Sequence, residues 1–484
     1  MKRFLEWGLI VTVAVTVLAF GGATPLGYAL MEGIIFLLFF ILILQQTRAG
    51  KIRLPIPLAL FVLILWVLLQ LVPVPHQVVE WLSPARALLL QSSPTPGQPG
   101  RVTFSIYPHD TLMAMVKLLA YGAAFVLAAV TFNSQERKST LIRALILLGC
   151  LESAYGTVQY LTGYQKIFTY TKQAYVEEAT GTYINHNHFA GFLELVLPWV
   201  VAQTYFLMRP KGTASHPGGS RSAASSSRRF HPGAYLYVFL IVVILIGVVF
   251  SRSRMGIFSA IVSLIFMAAV SQIKEKNKAL LGITFLVLCA ALAYAAWIGL
   301  SPVLSRFEAL EHGGITTEGR VSLWKSSVRL IRDYPVSGTG LGTFQYAFSA
   351  YQNTLLEFRI DHAHNDYLEF TSDLGVPGVI LLFGPMFYLL GKMIVVLTSD
   401  ASRYRRSVLL GCIGCLVALL THTVADFNLQ IPANAMVFAV ILGIGYKVAC
   451  LEPTTTYAVP RSVAAPAGRG VSGGNGGSAQ IRPS

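Results

Sequence analysis

The chain has 484 residues, 54% hydrophobic and only 12% charged, with a mean hydropathy of +0.60. Soluble domains carry about 25% charged residues, so the composition excludes a water-soluble enzyme, a disordered scaffold and a secreted disulfide miniprotein. Lys and Arg total 37 against 22 Asp and Glu, a net charge of +15. In a soluble chain that excess would suggest nucleic acid. Here most basic residues lie in short links between apolar blocks, where they set topology and meet membrane lipids, so no nucleic-acid partner is expected.

Apolar runs of about 17–25 residues, long enough to cross a bilayer, recur at 4–21, 25–44, 54–72, 111–132, 141–160, 188–208, 234–250, 255–273, 279–300, 376–397, 408–424 and 433–450. They predict an all-α polytopic membrane protein of about 12 transmembrane helices over residues 1–450. The first run follows Met1-Lys2-Arg3 without a convincing small-residue cleavage site, and reads as a retained helix. With the N-terminus in the cytoplasm, alternation puts Arg48, Lys51, Arg53, Arg137, Lys138, Lys274, Lys276, Lys278, Arg403, Arg405 and Arg406 inside. The long mixed-charge segments 73–110, 161–187 and 301–375 fall outside, as the positive-inside rule requires. The Ser/Gly/Arg-rich segment 211–233 reads as a flexible cytoplasmic link, and 453–484 as a disordered cytoplasmic tail. Cys412 and Cys415 form a CxxC inside an apolar run; they read as small packing residues, not a zinc or redox site.

Among the outer segments, 301–375 is the one large enough to build a site. On a helix over 320–332, Val321, Trp324, Val328 and Ile331 fall within about 80° of one another, with Lys325, Arg329 and Arg332 beside them. Such a helix suits the membrane surface, with Trp324 an interface anchor. Arg320 interrupts the apolar face: it either snorkels from a frayed end or points inward at an anionic ligand. Arg252 and Arg254 in SRSRMG (251–256) occupy a tight outer-side turn between two spans, against the positive-inside trend, which fits an anion site. His362, His364, Asn365 and Asp366 cluster in DHAHNDYLE (361–369), and His186 and His188 lie in YINHNHFAG on the same side. On a helix, His-x-His side chains stand about 200° apart, so the spacing favours a base or hydrogen-bonding role over a metal site. Gly338, Gly340 and Gly342 lack a surrounding strand–loop–helix unit, and read as a tight loop, not a nucleotide cradle.

TGTYINHNHFAGFLE (180–194), SRSRMGIF (251–258), GRVSLW (319–324), DYPVSGTGLGTF (333–344), AHNDYLEFTSDLGVPG (363–378) and DFNLQIPANAMVFAVILG (426–443) together resemble the bacterial O-antigen ligase family, which includes O-antigen polymerases and O-linking oligosaccharyltransferases. The resemblance covers about residues 150–445. It implies a multi-pass glycosyltransferase of the bacterial inner membrane with a GT-C-type architecture and a large periplasmic loop. Its donor would be an undecaprenyl-pyrophosphate-linked glycan at the periplasmic face, and its acceptor a glycan or lipid A core. No cofactor and no metal are implied. The family's functional arginines and histidine carry over to Arg254, Arg320 and His364 as catalytic residues. Arg252, His188, Asn365, Asp366 and His362 are substrate-binding candidates, and which of Arg252 and Arg254 is the main phosphate ligand stays open. The residue types suit this chemistry: an arginine fork grips phosphate oxygens at any physiological pH, and a histidine can take a sugar hydroxyl proton.

Transfer to an acceptor hydroxyl, with inversion, is the preferred reading. Joining of lipid-linked repeat units by a polymerase is the alternative, and transfer to a protein hydroxyl a third. A non-enzymatic flippase fits less well, because it predicts charged residues spread through mid-membrane helices. The topology has a direct consequence: a cysteine engineered near Gly313 should label from outside the cell, and one at Lys276 should not. Reversed labelling would overturn the orientation.

Overall fold

A computed structural model describes residues 2–92, 100–208, 232–275, 282, 285, 317–352, 359–399 and 401–452. The described chain is helical, apart from two short antiparallel pairs: Val74–Pro75 (β1) with Arg101–Val102 (β2), and Lys166–Ile167 (β3) with Tyr170–Thr171 (β4). The helices are α1 (Lys2–Leu18), α2 (Pro25–Arg48), α3 (Leu58–Leu71), α4 (His76–Leu82), α5 (Pro84–Ser92), α6 (Pro108–Thr131), α7 (Gln135–Thr162), α8 (His186–Met208), α9 (Gly233–Phe250), α10 (Arg254–Glu275), α11 (Thr317–Asp333), α12 (Phe344–Ala347), α13 (Asp366–Thr398), α14 (Arg403–His422) and α15 (Pro432–Tyr446). Among the described residues nine helices are long and apolar enough to cross a membrane, and α3 is a shorter apolar helix. The chain is therefore an all-α polytopic membrane protein. All but residues 282 and 285 of the expected span 279–300, all but 232 and 233 of the 211–233 link, and the 453–484 tail lie outside the described residues.

The core is an antiparallel seam between α8 and α14, tied by three side-chain-to-carbonyl contacts along its length. Arg403 donates to the Phe206 carbonyl, Ser407 Oγ to the Ala202 carbonyl at 2.9 Å, and Cys415 Sγ to the Leu195 carbonyl at 3.0 Å. Small residues let the helices close. A Cβ at Gly411 would sit 2.5 Å from the Trp199 ring, and one at Gly414 2.6 Å from Pro198 Cβ. Without a hydrophobic force between helices in lipid, such close backbone approach and interhelical hydrogen bonds carry the association. Cys412 and Cys415 are buried free thiols, Cys415 in this seam and Cys412 turned toward the Ile441 carbonyl of α15.

The helix α13 begins ten residues before its apolar run and bends within itself, because Gly375 adopts φ +70°. The 338–342 glycine loop docks on that bend: Thr339 N–H donates to the Ser372 carbonyl, Gly340 N–H to the Asp373 carbonyl and Gly342 N–H to Asp373 Oδ2. A Cβ at Gly338 would lie 2.2 Å from the Asp373 carbonyl oxygen, so only glycine fits there. These glycines hold the extramembrane segment to α13.

Differing from its expected face, α11 buries Leu323, Ser327 and Leu330 in a second core with Tyr334, Phe344 and Ala363. Trp324 is turned into the protein, where its Nε1–H donates to the Ala363 carbonyl at 3.1 Å, in place of an interface anchor. Val321 and Val328 remain exposed. Arg137, Lys138, Arg403 and Arg405 gather at the end of the bundle opposite the 361–366 segment. There Arg137 pairs with Glu6, and Lys138 with Glu452.

Candidate active site

Four pieces of chain meet at one end of the α8–α14 seam: the start of α8, the 251–254 turn, the segment entering α13, and the 423–431 link between α14 and α15. Local sequence sets each. Asn185 accepts from the Asn187 N–H at 2.8 Å to open α8, and the Asn365 side chain accepts from the Leu368 N–H at 3.0 Å to cap α13. Asn is favoured at such positions because its oxygen meets a backbone donor that the helix leaves unpaired. Ser251 and Ser253 tighten the turn through the Ser253 N–H to Ser251 Oγ and Gly256 N–H to Ser253 Oγ bonds.

At the centre is Asp426, 1% exposed. Its Oδ1 accepts from the Phe427 N–H at 2.8 Å and faces His188 Nε2 at 3.8 Å and His364 Nδ1 at 3.7 Å; its Oδ2 faces His422 Nε2 at 3.8 Å. These separations are longer than hydrogen bonds and are ionic where the imidazole is protonated; catalytic hydrogen bonds often tighten only once substrate is bound. Phe427 packs the same rings, stacking on His362 at 4.1 Å and meeting His188 and His364 edge-on at 4.6 and 4.9 Å. Arg320 arrives from α11 and its Nη1 donates to the Ala425 carbonyl at 3.1 Å, while its buried Nε–H has no hydrogen-bond partner.

The electrostatics follow from these contacts. Burial alone would raise the Asp426 pKa, but the imidazoles of His188, His364 and His422 close around it outweigh burial, holding the carboxyl well below its usual range. Burial would lower His362, but the Glu369 charge and the 2.8 Å bond from His362 Nδ1 to Glu369 Oε1 override it and raise it. Tyr175 is raised, first by burial and then by the Asp426 charge, with Arg320 opposing.

The sequence candidates divide accordingly. His364, His188 and Arg320 converge on Asp426 and its link. His364 holds φ +47°, a left-handed conformation uncommon outside glycine, and such outliers collect at functional sites. His362 shares the Phe427 ring but pairs with Glu369. Asn365 is the cap of α13, and Asp366 is fully enclosed, its Oδ2 accepting from the Leu429 N–H at 2.9 Å. Arg252, at φ +56°, reaches Glu177 at 3.5 Å. Arg254 is exposed as the first residue of α10 and makes no hydrogen bond or ion pair with Arg320 or His364.

The helical argument about His-x-His does not apply to 362–364, whose backbone is irregular. The two rings still part, one to Glu369 and one to Asp426. Among the described residues no group of three His, Cys, Asp or Glu is arranged to hold a metal ion.

Sequence reasoning missed Asp426, Phe427, His422 and Glu194. Glu194 and His422 had a readable signal, since ionisable residues inside apolar runs are functional candidates by default. Asp426 and Phe427 open the motif DFNLQIPANAMVFAVILG (426–443), but an acidic residue in a short polar link carries no sign of its own that histidines gather on it.

This constellation, at one end of a bundle of apolar helices, defines a polytopic membrane protein with an extramembrane polar site. Residues 239–383 match the family model described as O-Antigen ligase, and the chain carries a domain of the O-antigen ligase family there. The matched stretch holds Arg252, Arg254, Arg320, His362 and His364; His188, His422 and Asp426 lie outside it. No curated protein is similar enough to count as a match.

The His362–Glu369 pair predicts a pH dependence. Because the folded state raises the His362 pKa, its contribution to stability is fully present below about 6.5 and is lost as pH rises through the raised value. Thermal unfolding in detergent between pH 5.5 and 8.5 should show this loss, and Glu369→Gln should flatten it. An unchanged slope in the variant would contradict the assignment.

Proposed function

We propose that this protein is an inverting, metal-independent glycosyltransferase of the bacterial inner membrane. It moves a glycan from undecaprenyl pyrophosphate to an acceptor hydroxyl, on lipid A core or a similar glycan, at the periplasmic face. The observation that carries the reading is His364 set against the Asp426 carboxylate with Arg320 alongside. The family match over the segment holding His364 and Arg320 supports it.

Each residue then has a chemical part. Asp426 facing His364 Nδ1 favours a proton on that nitrogen, which leaves Nε2 free to accept the acceptor's hydroxyl proton. The attacking oxygen forms a bond to the anomeric carbon as the bond to the pyrophosphate oxygen breaks, and a single displacement inverts that centre. Arg320 has an unspent buried Nε–H for the departing pyrophosphate oxygens. Arg254 supplies a second fork from the first residue of α10, and the positive end of the helix dipole adds to it.

The test is turnover by purified protein with a lipid-linked glycan and two acceptors, core lipid and lipid-linked repeat. Product on the core identifies a ligase; a lengthened lipid-linked chain identifies a polymerase. His364→Ala should lower turnover by about 10²–10⁴-fold while donor binding survives. Arg320→Lys and Arg254→Lys keep charge but lose the fork, and should each cost on the order of tenfold or more. EDTA should leave activity intact. Wild-type turnover in His364→Ala, or an activity that EDTA abolishes and one metal restores, would contradict the mechanism.

A further inference from the structure

Behind Asp426, away from His364, the site continues into the bundle. Glu194 lies on α8 about 12 Å along the helix from His186, and neither it nor His422 is exposed. A carboxylate enclosed among apolar helices is costly unless it is fully partnered, and this one is. Its Oε2 accepts from Ser259 Oγ of α10, and its Oε1 faces His422 Nδ1 of α14 at 2.9 Å. His422 Nε2 is the nitrogen that faces Asp426 Oδ2 at 3.8 Å. The fold makes room for the arrangement at Gly256, where a Cβ would lie 2.7 Å from Ala190 Cβ and 3.0 Å from Glu194 Oε1. Three helices thus converge on a buried, hydrogen-bonded Ser–Glu–His group, and the remaining His422 nitrogen, which has no hydrogen-bond partner, is turned to Asp426, the residue that faces His364.

An imidazole between two carboxylates can favour both only by presenting an N–H from each nitrogen; a neutral ring would turn a lone pair toward one of them. We infer that Glu194, Ser259 and His422 form a buried clamp that keeps His422 doubly protonated, and that through it they fix Asp426 for His364. Glu194 and His422 are positioning residues, since neither reaches the reacting atoms. The clamp follows from the packing alone; its effect on catalysis rests on the transferase reading. His422 draws on Oδ2 while Oδ1 stays turned toward His188 and His364, so the carboxylate cannot rotate away from the base. The cation on His422 also offsets part of the Asp426 charge that His364 faces. The other charged or titratable groups around Asp426 are His188 and His186 from α8, Tyr175 from the 163–185 link, Arg320 from α11, His362 from the segment entering α13 and Asp366 at its head.

Two measurements test the clamp. In ¹⁵N-histidine-labelled protein the His422 resonances, identified by their absence in His422→Gln, should report two protonated ring nitrogens at neutral pH, and Glu194→Gln should remove one. A singly protonated His422 in the wild type overturns the clamp whether or not the protein turns over a glycan donor. With the lipid-linked donor, His422→Gln should move the acid limb of the kcat/KM profile up by about one pH unit and lower kcat by about 10- to 100-fold, with donor KM within threefold. Glu194→Gln should move the limb in the same direction. Ser259→Ala, which keeps every charge, should give a smaller shift and guards against a failure of the other variants to fold. Folded variants with an unmoved limb overturn the catalytic half of the inference. A wild type without turnover counts against the transferase reading, and the resonances then decide the clamp.

Discussion

A carboxylate enclosed by protein has to be neutralised where it lies, and the end of this bundle is organised around that requirement at Asp426. Removing one partner from a buried ion pair typically costs about 3–5 kcal/mol, so the groups that surround Asp426 are tied to one another by more than catalysis. His188 comes from α8, His364 from the segment entering α13 and His422 from the end of α14. Phe427, the next residue in the link, holds His188 and His364 edge-on. One short link therefore registers three otherwise independent pieces of chain against each other. It also sets Arg320, through the Ala425 carbonyl.

The link can do this because the helices beneath it cannot slide. The α8–α14 seam is pinned by contacts running from Phe206 and Arg403 through Ala202 and Ser407 to Leu195 and Cys415, and glycines at 411 and 414 leave no slack. At the top of that seam Glu194 and His422 meet, so packing in the apolar core fixes the position of groups that serve the polar end. The extramembrane segment is seated by separate means: the 338–342 loop locks onto the bend at Gly375, and α11 buries its own apolar stripe. Both place Arg320 and His364 relative to the same helix, α13.

The membrane-spanning architecture was legible because length and apolarity are nearly sufficient to specify a span in lipid. Boundaries were less so. The helix α13 starts at Asp366, within a stretch whose polar residues hide it, since Asp366, Glu369 and Asp373 are buried by protein and not exposed to lipid. In the site, residues at odds with their surroundings could be read: Arg320 interrupting an apolar face, and arginines in an outer turn. Their shared centre could not be. Asp426 is an acidic residue in a polar link; His422 lies one turn before it, but only the fold brings His188 and His364 to it from distant segments. Trp324 was misplaced for a related reason: periodicity finds an apolar stripe but not which protein surface will cover part of it. The histidine geometry was read as helical, whereas residues 361–365 are irregular and His364 is left-handed.

The most direct measurement is Asp426→Asn, which keeps the size of the side chain and removes its charge. The account predicts a folded protein that still binds a lipid-linked glycan donor but turns it over about 10²–10⁴-fold more slowly, because His364 loses the charge that orients it. Turnover at the wild-type rate by folded Asp426→Asn protein would contradict a site organised on that carboxylate.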